Sequence, residues 1–260
     1  MSSTFSSAER LLGPRRAPGI CPRCLNLTDN DDGLCRACRT SEQHLAAVVP
    51  ISYSVGGEWL HRVIASYKRD ADPSVPDAVA ALTEICGRFL AGHERCISEY
   101  VGVDRFSVVT IVPSSSPRRD ARHPLSRIVG EFIPVTHERY ERLLVPQPAR
   151  TVPRRFDPAR YAVTRRLDDA TVLLIDDMWT SGASAESAAA ALRAAGARTV
   201  AAVVIARHVN RGFRENDARL RRLADAPFDF ERCVLCCDDD EARRRPKGDG
   251  GLAEPVKRSG

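Results

Sequence analysis

Lysine is scarce in this 260-residue chain: Lys68, Lys247 and Lys257 are the only three, and arginine supplies the rest of the positive charge. Long apolar runs are missing too. No stretch approaches the roughly 20 residues that a membrane helix needs, so no membrane insertion is expected. Met1 to Arg16 contains serine and arginine but no apolar h-region, and with no secretory signal the expected location is cytoplasmic. Three familiar motifs are absent. There is no G-x-x-x-x-G-K-[ST], no G-x-G-x-x-G and no G-x-S-x-G, which excludes a P-loop, a dinucleotide fingerprint and a serine hydrolase elbow. No internal repeat is present.

What the chain does contain is ordinary for a soluble protein with a buried core. It is 43% hydrophobic and 28% charged, with a net charge of +5. An arginine excess can build a surface for phosphate or nucleic acid. Acidic residues interleave with most of the arginines, however, and a base-composition bias of the source genome explains the excess equally simply.

Apolar runs at 45–51, in "FSVVTIVP", in "RLLVP", in "ATVLLI" and in "TVAAVVIA" read as strands. Between them, Leu60, Val63, Ile64 and Tyr67 recur at helical spacing, Asp77 to Leu90 repeats that signal with Asp77 as its cap, and "LSRIVGEFI" resembles a helix. Ala183 to Ala195 is a further helix with Gly196 suited to the C′ position. Residues 146–160, with four prolines and no period, read as a loop. Strands that alternate with helices and are continuously apolar point to an α/β fold, a mostly parallel sheet with helices on both faces. Residues 1–20 and 238–260 lack periodicity and are expected to be disordered tails.

Nine cysteines cluster rather than scatter. In "CPRCLNLTDNDDGLCRAC", Cys21 and Cys24 form one C-x2-C pair and Cys35 and Cys38 another, ten residues apart. Four thiolates that can meet around one ion suit a closed, tetrahedral, structural zinc site; an iron centre of rubredoxin type uses the same spacing. The other cysteines read differently. Phe228, Phe230, Cys233 and Leu235 alternate like a strand, on which Cys233, Cys236 and Cys237 would be small hydrophobes; Cys86 and Cys96 read as core thiols.

The densest chemistry lies in "LLIDDMWTSGAS", residues 173–184. An apolar strand delivers Asp176 and Asp177 at its carboxyl end, the edge at which open parallel sheets bind ligands. Adjacent carboxylates repel, so an orientation toward solvent or a polar ligand is expected. Thr180, Ser181, Gly182, Ala183 and Ser184 then let backbone N–H groups approach an anion, and the following helix adds its positive dipole end. Acceptors for hydroxyls beside a cradle for phosphate are what a sugar phosphate needs.

These residues resemble the ribose-5-phosphate motif of type I phosphoribosyltransferases. The four-cysteine knuckle before it, "YSVGGEWLHRVIASYKRD" and "VVTIVPSSSPRR" narrow the resemblance to the ComF (competence protein F) family, over about residues 20–210. The resemblance implies a type I phosphoribosyltransferase fold over 45–237, with a hood-like part at 45–105 and a core at 106–210, behind a zinc knuckle at 21–44. It implies a transferase that takes phosphoribosyl from phosphoribosyl pyrophosphate (PRPP) to an amine or base. Asp176 and Asp177 would be the catalytic pair and bind the ribose hydroxyls. Thr180, Ser181, Gly182, Ala183 and Ser184 would hold the 5′-phosphate, and Ser114, Ser115, Ser116 and Arg118 would lie at the pyrophosphate, with Arg119 and Arg155 as further contacts. Magnesium would arrive with PRPP, and 154–160 would be the mobile covering loop. "RRDARHPLSR" stands where the family carries Arg-Gly-Phe-Asn. Lys68 reads as a surface lysine, and His61, His123 and His208 as surface or core residues. The family's association with DNA uptake implies an alternative, an accessory factor whose knuckle and arginines bind DNA or a DNA-uptake protein beside a non-catalytic PRPP pocket.

Overall fold

The computed structural model of the protein describes residues 7–28, 33–69, 73–114, 117–147, 152 and 154–236. In chain order these form α1 (Arg36–Thr40), β1 (Ala47–Val55), α2 (Trp59–Ser66), α3 (Val75–Tyr100), β2 (Val108–Ile111), α4 (Pro117–Asp120), α5 (Pro124–Arg127), α6 (Pro134–His137), β3 (Leu144–Pro146), β4 (Tyr161–Val163), β5 (Thr171–Trp179), α7 (Ala183–Ala194), β6 (Thr199–Val209) and α8 (Asn216–Ala224). Four strands make a central sheet in the order β1-β6-β5-β2, all parallel. No helix among the described residues is long and apolar enough to cross a membrane.

Continuous apolar strands work here because both faces are covered. Leu173 and Ile175 of β5, with Ala201, Val203 and Ile205 of β6, join one core with residues of α2 and α3. The alternate residues Val172, Leu174, Val200, Ala202 and Val204 join a second core with α7 and the four knuckle cysteines. A period of two thus divides each strand between two cores. Leu82, Ile85 and Phe89 of α3 recur at helical spacing in the first core, and each such side chain contributes about 1.5–3 kcal/mol on burial. On the other face Ala185, Ala188, Ala189 and Leu192 are fully or almost fully buried, because small side chains let α7 lie close to the sheet.

Several expectations need correction. Ser74, not Asp77, is the N-cap residue of α3; Asp77 lies in the first turn, where its charge favours the helix dipole. "RLLVP" does form β3, but it pairs antiparallel with β4 in a separate two-stranded sheet. Phe228 to Leu235 is not a strand; the segment after α8 is irregular, and Cys237 lies outside the described residues. The tail expected over 1–20 is anchored from residue 7 onward: Leu11 is buried, and the Tyr53 N–H of β1 donates to the Leu12 carbonyl at 2.8 Å. Residues 1–6 and 238–260 lie outside the described residues.

The knuckle is docked onto the body. Glu186, buried on α7, accepts from the Arg23 guanidinium at 2.7 Å and from the backbone N–H groups of His44 at 2.7 Å and Leu45 at 3.2 Å. One carboxylate thereby fixes the first C-x2-C turn of the knuckle and the segment that leaves the knuckle to the helix that follows the candidate phosphate loop. Glu186→Ala would leave a cation and two buried N–H groups without their acceptor. A loss of about 2–4 kcal/mol is expected in urea unfolding, and an unchanged midpoint would contradict this docking role.

Candidate functional site

β2 ends at Ile111, opposite Ile175, and its chain turns away at Pro113. β5 runs on past its neighbour to Trp179, so the edge carrying Asp176 and Asp177 opens onto a cavity of about 620 Å³. Strand alternation sends the two carboxylates to opposite sides of β5. Asp177 goes to the side covered by α2 and is buried rather than facing solvent, though like Asp176 it lines the cavity. Its burial is compensated: Oδ2 accepts from the Tyr67 hydroxyl and pairs with the Lys68 ammonium, both from the chain leaving α2. Lys68 is exposed, as a surface lysine would be, yet it is also a member of the site.

The same surroundings separate the titration of the two acids. Burial alone would raise Asp177, but the Lys68 charge and the Lys68 and Tyr67 hydrogen bonds outweigh it and hold the carboxyl below its usual value. Asp176 accepts the Asp177 N–H at 3.0 Å and feels the Lys68 charge, but these do not outweigh its surroundings. Burial, then the charge on Asp177, push it up to about 8, so near neutral pH it keeps its proton.

The small-residue loop follows directly. Gly182 has φ +84, a left-handed conformation that glycine adopts without strain, and a Cβ there would collide with the Trp179 ring. Gly182 is also the N-cap residue of α7 and contributes no side-chain cap; the Ala183 N–H donates to the Ser181 hydroxyl at 3.4 Å, and the first residues of the helix line the cavity at the dipole's positive end. Arg207 of β6 stiffens the loop from behind, donating to the carbonyls of Trp179 at 2.9 Å and Thr180 at 3.0 Å and, through Nε, to that of Cys24 at 3.0 Å.

Most residues singled out from the sequence converge. Asp176, Asp177, Thr180, Ser181, Gly182, Ala183, Ser184, Ser114 and Arg119 all line the cavity. Ser114 is held by the buried Asp120, which accepts from its N–H at 3.0 Å. Ser115 and Ser116 lie outside the described residues, as does the side chain of Arg118. Arg155 does not line the cavity, whereas Arg154 does. Trp179 is buried against the loop while one edge reaches the cavity.

Sequence reasoning missed Tyr67, His123 and Tyr161. His123 is buried, caps α5 through Nδ1 and meets the Tyr67 ring edge-on at 6.1 Å. Only its neighbourhood, the Val-Pro loop, carried a signal. Tyr161 comes from β4, just past the segment 146–160 that reads as loop, and burial pushes its hydroxyl up to about 12.

The second chemical feature is the knuckle itself. Cys21, Cys24, Cys35 and Cys38 are all buried with their sulfurs within 4.8 Å of one another, an arrangement that fits one tetrahedral zinc. Four thiolates around Zn²⁺ leave excess negative charge, and the Arg207 guanidinium lies 3.9 Å from the Cys24 sulfur. Among the described residues, the other group able to hold a metal is also thiol-based, and neither group lies in the cavity.

No family model matches the chain, and no curated protein is significantly similar to it.

The raised Asp176 makes a prediction about stability. In the unfolded chain this carboxyl ionises near its model value of 3.8, in the folded chain near 8. Between these values the folded state binds the extra proton, so stability falls as pH rises from about 4 to about 8, by at most about 1.4 kcal/mol per pH unit. Asp177, shifted down, acts only at the acid end of the range. Asp176→Asn should flatten the decline and exceed the wild type in stability at pH 8. Urea unfolding across pH 4 to 8 checks this, and parallel slopes for the two proteins would refute it.

Proposed function

We propose that the protein binds magnesium-PRPP in this cavity and transfers its phosphoribosyl group to a nitrogen nucleophile, as the resemblance to the ComF-type phosphoribosyltransferases implies. The observation that carries the reading is the junction at the end of β5. Paired carboxylates and an open helix N-terminus built on a left-handed glycine face one cavity from adjacent positions in the chain. A ribose 5-phosphate presents vicinal hydroxyls at one end and a dianion at the other, and few other metabolites need both features at that separation.

In this reading the ribose 2′- and 3′-hydroxyls donate to Asp176 and Asp177. Asp177 is held ready by Lys68 and Tyr67, while Asp176 can give up its proton when ribose hydroxyls donate to it and the magnesium of the donor lies nearby. The 5′-phosphate accepts from the amides of Ser181 to Ser184 and from the Thr180, Ser181 and Ser184 hydroxyls. Ser114 and Arg119 face the pyrophosphate from the Val-Pro loop, with Arg154 across from them. Magnesium would be carried by oxygens of the donor and supply positive charge to the leaving group.

Chemistry at the anomeric carbon then requires little covalent help. The bond to pyrophosphate lengthens, positive charge develops on the ring, and the nucleophile attacks from the opposite side. The protein's contributions are orientation, charge at the leaving group and exclusion of water. The knuckle's part in this reading is mechanical: through Arg207 and Glu186 it braces the loop and helix that hold the phosphate.

Isothermal titration with magnesium-PRPP tests the assignment. The wild type is expected to bind, and the Asp176→Asn, Asp177→Asn double variant to bind at least about 100-fold more weakly, the loss of two charge-assisted hydrogen-bonding positions. Equal affinity in the two proteins would remove the carboxylates from the site.

A further inference from the structure

We propose that His93, Cys96, Cys233 and Cys236 form a second zinc site, distinct from the knuckle, that staples the irregular C-terminal segment to α3. Their ligand atoms all lie within 4.8 Å of one another. The two groups are on opposite sides of the sheet: Cys233 belongs to the core shared with α3, the knuckle cysteines to the core shared with α7. This inference does not depend on the PRPP reading.

Spacing accounts for half of the site. His93 and Cys96 stand three apart on α3 and so share one helix face. Cys233 and Cys236 form a C-x2-C pair in a segment without helix or strand, and such a pair can turn two sulfurs toward one ion. A tetrahedral zinc with Zn–S of about 2.3 Å and Zn–N of about 2.0–2.1 Å holds its ligand atoms roughly 3.5–3.8 Å apart. His93 Nδ1 lies 3.7 Å from the Cys96 sulfur and 3.8 Å from the Cys236 sulfur.

The histidine tautomer is the sharper observation. His93 is buried, and its Nε2 lies 2.8 Å from the Phe230 carbonyl oxygen. A carbonyl only accepts, so Nε2 carries the proton and Nδ1 of the neutral ring presents its lone pair to the sulfurs. A carbonyl on the far nitrogen is the arrangement that orients metal-bound histidines and raises their basicity. Backbone N–H groups also point at sulfur: Cys233 N donates to the Cys236 sulfur at 3.1 Å, and Cys236 N to that of Cys233 at 3.4 Å. Such bonds favour thiolate over thiol.

A site of this kind also explains how the segment after α8 is held. It contributes Phe230, Val234 and Leu235 to the core without forming an element of its own. One zinc would join it to a helix more than a hundred residues earlier in the chain. A disulfide between two of the three cysteines is the competing covalent arrangement; one between Cys96 and Cys236 would leave Nδ1 without a thiol or thiolate partner, and any of the three would remove two of the four ligands.

The test is metal content. Full-length protein purified without chelator should carry two zincs per chain by plasma mass spectrometry. Cys233→Ser, Cys236→Ser should lower this to one, with native circular dichroism and a lower Tm. Should that variant fail to fold, X-ray absorption at the zinc edge of the wild type decides: two sites predict seven sulfurs to one nitrogen averaged over the metal, the knuckle alone all sulfur. One all-sulfur zinc per folded chain, two zincs undiminished by the folded double variant, or a Cys96 disulfide in protein alkylated before reduction would each overturn the proposal.

Discussion

Two carboxylates placed side by side at the end of a buried strand repel each other, and the site is organised around how that repulsion is relieved. Asp177 receives an ammonium from Lys68 and a hydroxyl from Tyr67, both delivered where α2 ends. Asp176 receives neither and keeps its proton up to about pH 8. The site thus holds one satisfied charge and one carboxyl that ionises only at a cost. Perturbed acids of this kind concentrate where proteins bind or transform ligands, because the cost is recovered when the right partner arrives. A cation-bearing, hydroxyl-rich ligand is such a partner.

The second constraint is rigidity. A loop of small residues can approach an anion only if its backbone is held in place, and small side chains cannot do the holding. Here the burden passes to neighbours. The Trp179 ring fills the space that a side chain at residue 182 would occupy, Arg207 ties the loop carbonyls to the knuckle, and Glu186 ties α7 to Arg23 within the knuckle and to the segment that leaves it. The knuckle is therefore part of the second core, and a disturbance of its four cysteines would be felt in the small-residue loop.

The sheet and its main strands were legible from sequence because their signal is local: four β-rich runs, two of them continuously apolar over most of their length, can only be strands covered on both faces. The aspartates and the loop after them were legible for the same reason, since the residues that line the cavity at the end of β5 are contiguous in "LLIDDMWTSGAS". What escaped was long-range. Lys68 and Tyr67 lie more than a hundred residues from Asp177, and no spacing rule pairs them. Cys96 reads as a core thiol and Cys233 as part of a strand until the fold brings them to His93. β4 is only three residues long and sits in a proline-rich stretch, so periodicity has too little length to work on. The burial of Asp177 is hidden in the sequence for a related reason: the cation that offsets its cost sits on a different element.

The central claim is that the end of β5 is a receptor for one sugar phosphate, with acids and loop acting on opposite ends of the same molecule. A crystal structure of the protein soaked with magnesium-PRPP tests it most directly. The account predicts ribose hydroxyls on Asp176 and Asp177 and the 5′-phosphate on the amides of Ser181 to Ser184. Density for the ligand elsewhere, or at the loop with the aspartates still engaged only by Lys68 and Tyr67, would contradict it.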